Sequence, residues 1–122
     1  MLNELSQQIH ANAVAKGFWD KTPNFGELLM LTVSELGEAM EADRKDKRTD
    51  KEHLKWVASL KNDSVADEFF KNHIKDTVED EMADAIIRLL DIAAGRKIDI
   101  QAHVAAKMRY NAGRPKLHGK RY

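Results

Sequence analysis

A chain of 122 residues is long enough for one domain with a modest core, and its 20 basic and 20 acidic side chains balance to a net charge of zero. That balance provides no overall field to attract a nucleic-acid polymer or a membrane. The absence of cysteine excludes disulfides, thiol nucleophiles and thiolate metal sites.

Targeting and membrane signals are also lacking. The apolar stretch from Leu28 to Val33 is far shorter than the roughly 18 residues that a membrane span requires. The N-terminus has no basic segment followed by an apolar core, as a signal peptide would. We therefore expect a single cytoplasmic domain over residues 1–122.

Apolar residues recur with helical spacing, and no segment has the alternation of a strand. The first predicted helix runs from Leu2 to Lys16, with Gly17 as its C-terminal cap. Asn24 followed by Glu27 resembles a capping box that opens a second helix with a broad apolar face.

After a polar connection, Thr49 with Glu52 indicates a further helix start, and the region from Thr49 to Ile74 is predicted to hold one or two short helices. The clearest helix is predicted from Thr77 to Ala94, ended by Gly95, and Asp99 is expected to cap a last helix through Asn111. The predicted fold is all-α: a helical bundle of four main helices with a short helical insertion.

Two of these helices carry acids three residues apart, Glu35 with Glu38 and Glu81 with Asp84. Residues at this spacing project from the same side of a helix, so two such helices packed together would gather four carboxylates. Like charges about 4 Å apart repel by roughly 4 kcal/mol at an effective dielectric near 20. A hard divalent cation, Mg²⁺ or its substitute Mn²⁺, would relieve that repulsion.

Two other interpretations of these acids remain open at this point. With 33% charged residues, acid pairs of this spacing also arise on ordinary solvated helix faces. A di-iron site would need Glu-x-x-His on facing helices, and no histidine stands three residues after a glutamate. Oxygen-only ligands favour Mg²⁺ or Mn²⁺ over iron or zinc.

Two further groups are candidates for binding. Trp19, in the turn after the first helix, is either a plug at the end of a bundle or an aromatic platform for a base. Lys107, Asn111 and Arg114 share a face of the last helix, and Lys120 follows in a basic tail that on its own is typical of a solvated end. No glycine-rich phosphate loop is present.

The order Glu35-x-x-Glu38, Glu81-x-x-Asp84, Lys107-x-x-x-Asn111 resembles the MazG-like superfamily of all-α nucleoside triphosphate pyrophosphohydrolases. The resemblance covers most of the chain. It includes Lys16-Gly-Phe-Trp-Asp at the end of the first helix and the C-terminal stretch from Lys107 through Arg114 to Lys120.

The resemblance implies Mg²⁺-dependent cleavage between the α- and β-phosphates of a nucleotide, giving monophosphate and pyrophosphate, as in the removal of unwanted nucleotides from the pool. It implies that Glu35, Glu38, Glu81 and Asp84 hold metal, and that a carboxylate, Glu35 or Glu38, activates water. Lys107, Asn111, Arg114 and Lys120 would bind phosphate or sugar, and Trp19 would stack on the base.

The usual motif begins Glu-Glu-x-x-Glu, whereas Ser34 stands at its first position here. This substitution leaves the number of metals and the water-activating base open. It also keeps two alternatives: a divalent-metal-dependent nucleotide-binding protein without turnover, and a helical interaction module whose acids only solubilise it.

Self-association is the last expectation. Apolar residues cover more than one stripe of the second helix and of the Thr77 to Ala94 helix, wider than a small bundle needs. We expect a homodimer or homotetramer, as the resemblance also implies. The alternative is that the Thr49 to Ile74 insertion covers this surplus.

Overall fold

A computed structural model describes all 122 residues and contains helices but no strands, which confirms the all-α prediction. The insertion between the two acidic helices forms two short helices. The elements are α1 (Leu2–Ala15), α2 (Phe25–Arg44), α3 (Lys51–Ser59), α4 (Asp63–His73), α5 (Val78–Gly95), α6 (Ile100–Ala112) and a short 3-10 turn (Lys116–Gly119).

Side-chain caps begin four of these helices. Asn24 accepts a hydrogen bond from the Glu27 N–H, and Asp99 accepts one from the Ala102 N–H, as the sequence predicted. The predicted start of α3 was wrong by one residue. Asp50, not Thr49, is the cap, and its carboxylate accepts a hydrogen bond from the Glu52 N–H. Each cap satisfies a backbone donor that has no partner within its own helix.

Three helices end in the same left-handed turn. After α1, Gly17 has φ 86°, its N–H bonds the Val14 carbonyl and the Phe18 N–H bonds the Ala13 carbonyl. This is the Schellman arrangement, so the predicted cap at Gly17 is confirmed. Asp46 after α2 and Lys97 after α5 take the same place with φ of 53° and 57°, although neither is glycine.

Residues 1–22 and 90–122 form one compact unit, here called the terminal unit. Within it α1 contacts α6, and the two helix starts cap each other. The Leu2 N–H donates to the Gln101 side-chain oxygen at 2.9 Å, and the Gln101 N–H donates to the Asn3 side-chain oxygen at 3.1 Å. The buried Ser6 hydroxyl donates to the Leu90 carbonyl.

Residues 23–89 form a second compact unit, the central unit, which holds α2 to α4 and most of α5. Helix α3 packs on α4 through aromatic edges, with the His53 ring 5.5 Å from Phe69 and 4.5 Å from His73. The segment before α3 is tied to the start of α5 by the Val78 N–H, which donates to the Lys47 carbonyl at 3.0 Å. These contacts fix the entry of the chain into the acidic half of α5.

Candidate metal centre

Three carboxylates from α2 and α5 converge in the central unit. Oxygens of Glu35, Glu38 and Glu81 all lie within 4.8 Å of one another, a group here called the acid cluster. Glu35 and Glu81 are buried, at 7% and 5% exposure, whereas Glu38 is exposed. The predicted convergence of the acid pairs is therefore present for these three.

The acids share their helices with small buried residues, which are Ala39 and Ala42 on α2 and Ala85 on α5. The acids follow the same helical spacing as this apolar stripe, which places Glu35 and Glu81 inside the unit rather than in solvent.

Crowding of like charges changes the protonation of the cluster. Burial raises the pKa of Glu81 to about 7, and a hydrogen bond and charge repulsion from Glu38 add to the effect, as does Glu35. In the absence of a cation, Glu81 therefore shares a proton with its neighbours near neutral pH. The proton is retained because it reduces the repulsion between the carboxylates. A bound cation would reduce the same repulsion and so stabilise the site.

Asp84, the fourth predicted ligand, is half-buried and is not among the three converging carboxylates. Its pKa is still affected by neighbouring charges. Burial raises its pKa, and the negative charges of Asp80, Glu35 and Glu38 act in the same direction, while Arg88 opposes them. Asp84 thus borders the acid cluster.

Arg88, which was not among the predicted site residues, pairs with the cluster. Its Nε–H donates to Glu35 Oε1 at 2.6 Å. It lies four residues after Asp84 and seven after Glu81, so helical spacing puts it on the same face of α5. That spacing was the available signal, but a single arginine on a charged helix is normally solvated.

A second group of acids shares Glu81 with the first. Oxygens of Asp76, Asp80 and Glu81 lie within 4.8 Å of one another. Here the carboxylates have local partners: Asp80 accepts from the Asp76 N–H at 2.9 Å, and the Lys75 ammonium contacts Asp76 at 3.1 Å. Asp76 and Asp80 are accounted for by the turn that starts α5.

Ser34 stands directly before Glu35 on α2. Its hydroxyl is exposed and donates to the Leu31 carbonyl at 2.6 Å, within its own helix. A serine bonded to its own backbone neither supplies a carboxylate nor acts as a base.

Trp19 lies in the terminal unit and is held along both its edge and its face. Its Nε1–H donates to the Asp91 carboxylate at 3.0 and 3.1 Å, and the His10 ring meets it edge-on at 4.8 Å. A Cβ placed on Gly95 would come within 2.3 Å of the Trp19 ring. Gly95 is the last residue of α5, as predicted, and its close approach to this ring also requires a glycine there; the left-handed turn follows at Lys97.

The predicted phosphate-binding residues also lie in the terminal unit. Lys107 and Arg114 both place their charges over the Tyr110 ring, at 5.1 and 5.3 Å from its centroid. The Asn111 side-chain oxygen is buried without a hydrogen-bond partner, an unmet need of about 1–3 kcal/mol. Lys120 is exposed after the 3-10 turn. Roles for these residues, and for Trp19, stay predictions.

Comparison of the chain with protein-family models, with curated proteins and with solved structures finds no match. None of the helices has both the length and the apolar content that crossing a membrane requires. The functional interpretation therefore depends on the acid cluster itself.

Proposed function

We propose that the protein is a Mg²⁺-dependent nucleoside triphosphate pyrophosphohydrolase that cleaves the bond between the α- and β-phosphates, as the MazG-like resemblance implies. One observation carries the proposal: oxygens of Glu35, Glu38 and Glu81 lie within 4.8 Å of one another, and two of these side chains are buried. A solvated helix face would keep its acids apart and exposed.

The donor set suits a hard divalent cation. All three groups offer carboxylate oxygens, and no cysteine or histidine belongs to the set, which favours Mg²⁺ or Mn²⁺ over zinc or iron. Glu35, Glu38 and Glu81 would hold the ion, with Asp84 beside them. When bound, the ion would supply positive charge against the phosphates of the substrate, the main requirement of phosphoryl chemistry.

The remaining parts of the proposal come from the resemblance. Lys107, Arg114 and Lys120 are proposed to bind phosphate, Asn111 phosphate or sugar, and Trp19 the base. Lys107→Ala should then weaken nucleotide binding much more than Mg²⁺ binding. Equal loss of both would indicate that Lys107 supports the fold instead.

Self-association is proposed from the exposed apolar surface of the central unit. Large aliphatic side chains on α2 and α5 are about half exposed, which is costly for a surface that stays in water; these are Leu29, Met30, Leu31, Val33, Leu36, Met40, Met82, Ile86, Ile87 and Leu89. We propose a homodimer or a dimer of dimers. Light scattering at micromolar concentration tests this, and a mass near 13.9 kDa would contradict it.

The decisive experiment is a panel of ribo- and deoxynucleoside triphosphates assayed with Mg²⁺, with pyrophosphate and orthophosphate measured separately. We expect equimolar monophosphate and pyrophosphate, no orthophosphate, and loss of turnover in EDTA. Release of orthophosphate alone would mean that the bond between the α- and β-phosphates is not the one cleaved, and would contradict the proposal. Absence of any turnover across the panel would reject the enzyme.

Ser34 favours one second candidate, a metal-dependent nucleotide-binding protein without turnover, because its hydroxyl is bonded to Leu31 and adds no carboxylate. Thermal unfolding with Mg²⁺ and a non-hydrolysable nucleotide separates the candidates. A binder gains stability by linkage but releases no pyrophosphate. A helical interaction module would show no shift at all.

A further inference from the structure

Arg88 is the positive group closest to the acid cluster in the central unit. Its Nε lies 2.6 Å from Glu35 Oε1, a charge-assisted bond slightly shorter than the usual range of about 2.7–2.9 Å. The Glu35 side chain is 10% exposed and that of Arg88 39%. The pair therefore joins a buried carboxylate to a cation that reaches the surface.

Three converging carboxylates create the need for such a cation. Because guanidinium does not lose its proton in proteins, Arg88 provides a permanent positive charge beside acids that repel one another. It offsets the charge of one carboxylate and leaves the other two. The cluster thus carries an internal counter-ion and still has room for a further positive charge.

The contact uses one of the five N–H donors of the guanidinium, not the two-donor fork in which arginine binds carboxylate most strongly. A divalent ion carries twice the charge of the guanidinium and can therefore compete with a single-donor contact for Glu35. The same guanidinium matches the oxygens of a phosphate group. Release from Glu35 would leave those donors beside the place where phosphate and metal meet.

We propose that Arg88 is the internal counter-ion of the metal-free acid cluster, and that it leaves Glu35 when Mg²⁺ binds and becomes a ligand of the substrate's phosphates. This inference rests on the proposed function. It adds a phosphate-binding residue on α5 that belongs neither to the acid pairs nor to the C-terminal residues already proposed to bind phosphate. It also couples the two ligands, since the metal frees the group that binds the phosphate.

The test measures binding, without turnover. Calorimetry gives the Mg²⁺ affinity of the free protein and the affinity of the Mg²⁺-loaded protein for inorganic pyrophosphate. Arg88→Gln should bind Mg²⁺ about tenfold more tightly, since a competing positive charge is gone, and bind pyrophosphate about tenfold more weakly. Arg88→Lys keeps the charge but loses the planar fork, so its Mg²⁺ affinity should stay near wild type while pyrophosphate binding weakens.

Arg44→Gln is the matched control, because Arg44 forms an exposed pair with Glu41 on α2 at 3.6 Å. It should change neither affinity. Weaker binding of both ligands by Arg88→Gln would mean that Arg88 only supports the fold, and unchanged affinities would deny it any role; either result overturns the proposal. Tighter Mg²⁺ with unchanged pyrophosphate would overturn the phosphate role.

These outcomes are separate from failure of the proposed function. A wild-type protein that binds Mg²⁺ and pyrophosphate but hydrolyses no nucleotide would refute the proposed enzyme activity. Both Arg88 affinities could still be measured and interpreted. A wild-type protein that binds no Mg²⁺ would overturn both proposals at once.

Discussion

Helix α5 carries buried or half-buried acids at both ends, and the two ends differ in what surrounds them. Near its C-terminal end, Asp91 accepts from Trp19 Nε1 and lies 2.7 Å from His10 Nδ1. Near its N-terminal end, Glu81 faces the other two carboxylates of the acid cluster. Donors stabilise an ionised carboxylate, whereas carboxylates destabilise it. Glu81 is also the more deeply buried of the two, so partners and burial together separate a structural acid from one that is suited to a cation.

The largest expected effect is on turnover. Glu38→Gln or Asp84→Asn should lower Mg²⁺-dependent pyrophosphate release by about 100-fold or more, because each change removes negative charge needed at the proposed metal site. Without metal, both variants should be at least as stable as wild type in urea, since repulsion falls. Glu41→Gln, on the exposed face of α2, is the control and should keep full activity. Near wild-type turnover in Glu38→Gln would remove the acid cluster from the mechanism, and near wild-type turnover in Asp84→Asn would remove Asp84 from the metal site.

A second prediction concerns the pH dependence of stability in EDTA. The folded state raises the pKa of Glu81 from 4.5 to about 7, so it holds a proton that the unfolded chain releases. That stabilisation is complete below about pH 4.5 and is lost as pH rises through about 7. At about 1.4 kcal/mol per pH unit, the loss is about 3 kcal/mol at most.

Urea unfolding at pH 5 and pH 8 measures this loss. Glu81→Gln should reduce the difference and be the more stable protein at pH 8. At the other end of the helix, Asp91→Asn should instead lose stability, because Trp19 and His10 lose their charged partner. If both variants changed the free energy of unfolding at pH 8 in the same direction, the proposed difference between the two ends of α5 would be wrong.

The packing end of α5 can be tested at Gly95. Gly95→Ala should lower the free energy of unfolding by about 1–3 kcal/mol, because its Cβ would lie 2.3 Å from the Trp19 ring. Gly37→Ala is the control: nothing lies within 4 Å of its Cβ, so it should gain about 0.5–1 kcal/mol from helix propensity. If urea unfolding shows a gain for both, Trp19 is not fixed at this position.

The smallest expected effect is at the end of the same helix. Lys97 has φ 57°, a conformation that glycine adopts without strain, so Lys97→Gly should stabilise the protein by about 0.5–1 kcal/mol. Asp46→Gly should gain less, since aspartate tolerates the left-handed region better than lysine. A loss of stability at Lys97 would show that its side chain contributes more than its backbone costs.

Features that depend on neighbours in sequence were predictable. Asn24 and Asp99 cap helices by bonding an N–H three residues ahead, and Gly17 ends α1 through its own backbone freedom. The cap of α3 was predicted one residue too early because Thr49 followed by Glu52 matches a capping box, whereas Asp50 is the cap. In the structure the Thr49 N–H instead donates to Glu79, thirty residues away.

Features that depend on contacts between distant segments were not predictable. Gly95 was correctly predicted to end α5, but its contact with the Trp19 ring had no signal in the sequence. The acid pairs were recognised by spacing, but their pairing with Arg88 across two helices has no local signature. The approach of Asp76 to Glu81 was missed because it depends on the turn before α5.

The mutual capping of α1 and α6 has a consequence for synthesis of the chain. The central unit is continuous from residue 23 to 89, whereas the bonds from Leu2 and Asn3 span 99 and 98 positions to Gln101. Because a ribosome releases the chain from its N-terminus first, α1 cannot form its bonds with α6 until Gln101 has emerged. We expect its amides to exchange rapidly in stalled chains that end before residue 101, while those of α2 are protected. Early protection of α1 would mean that this helix is stable without α6.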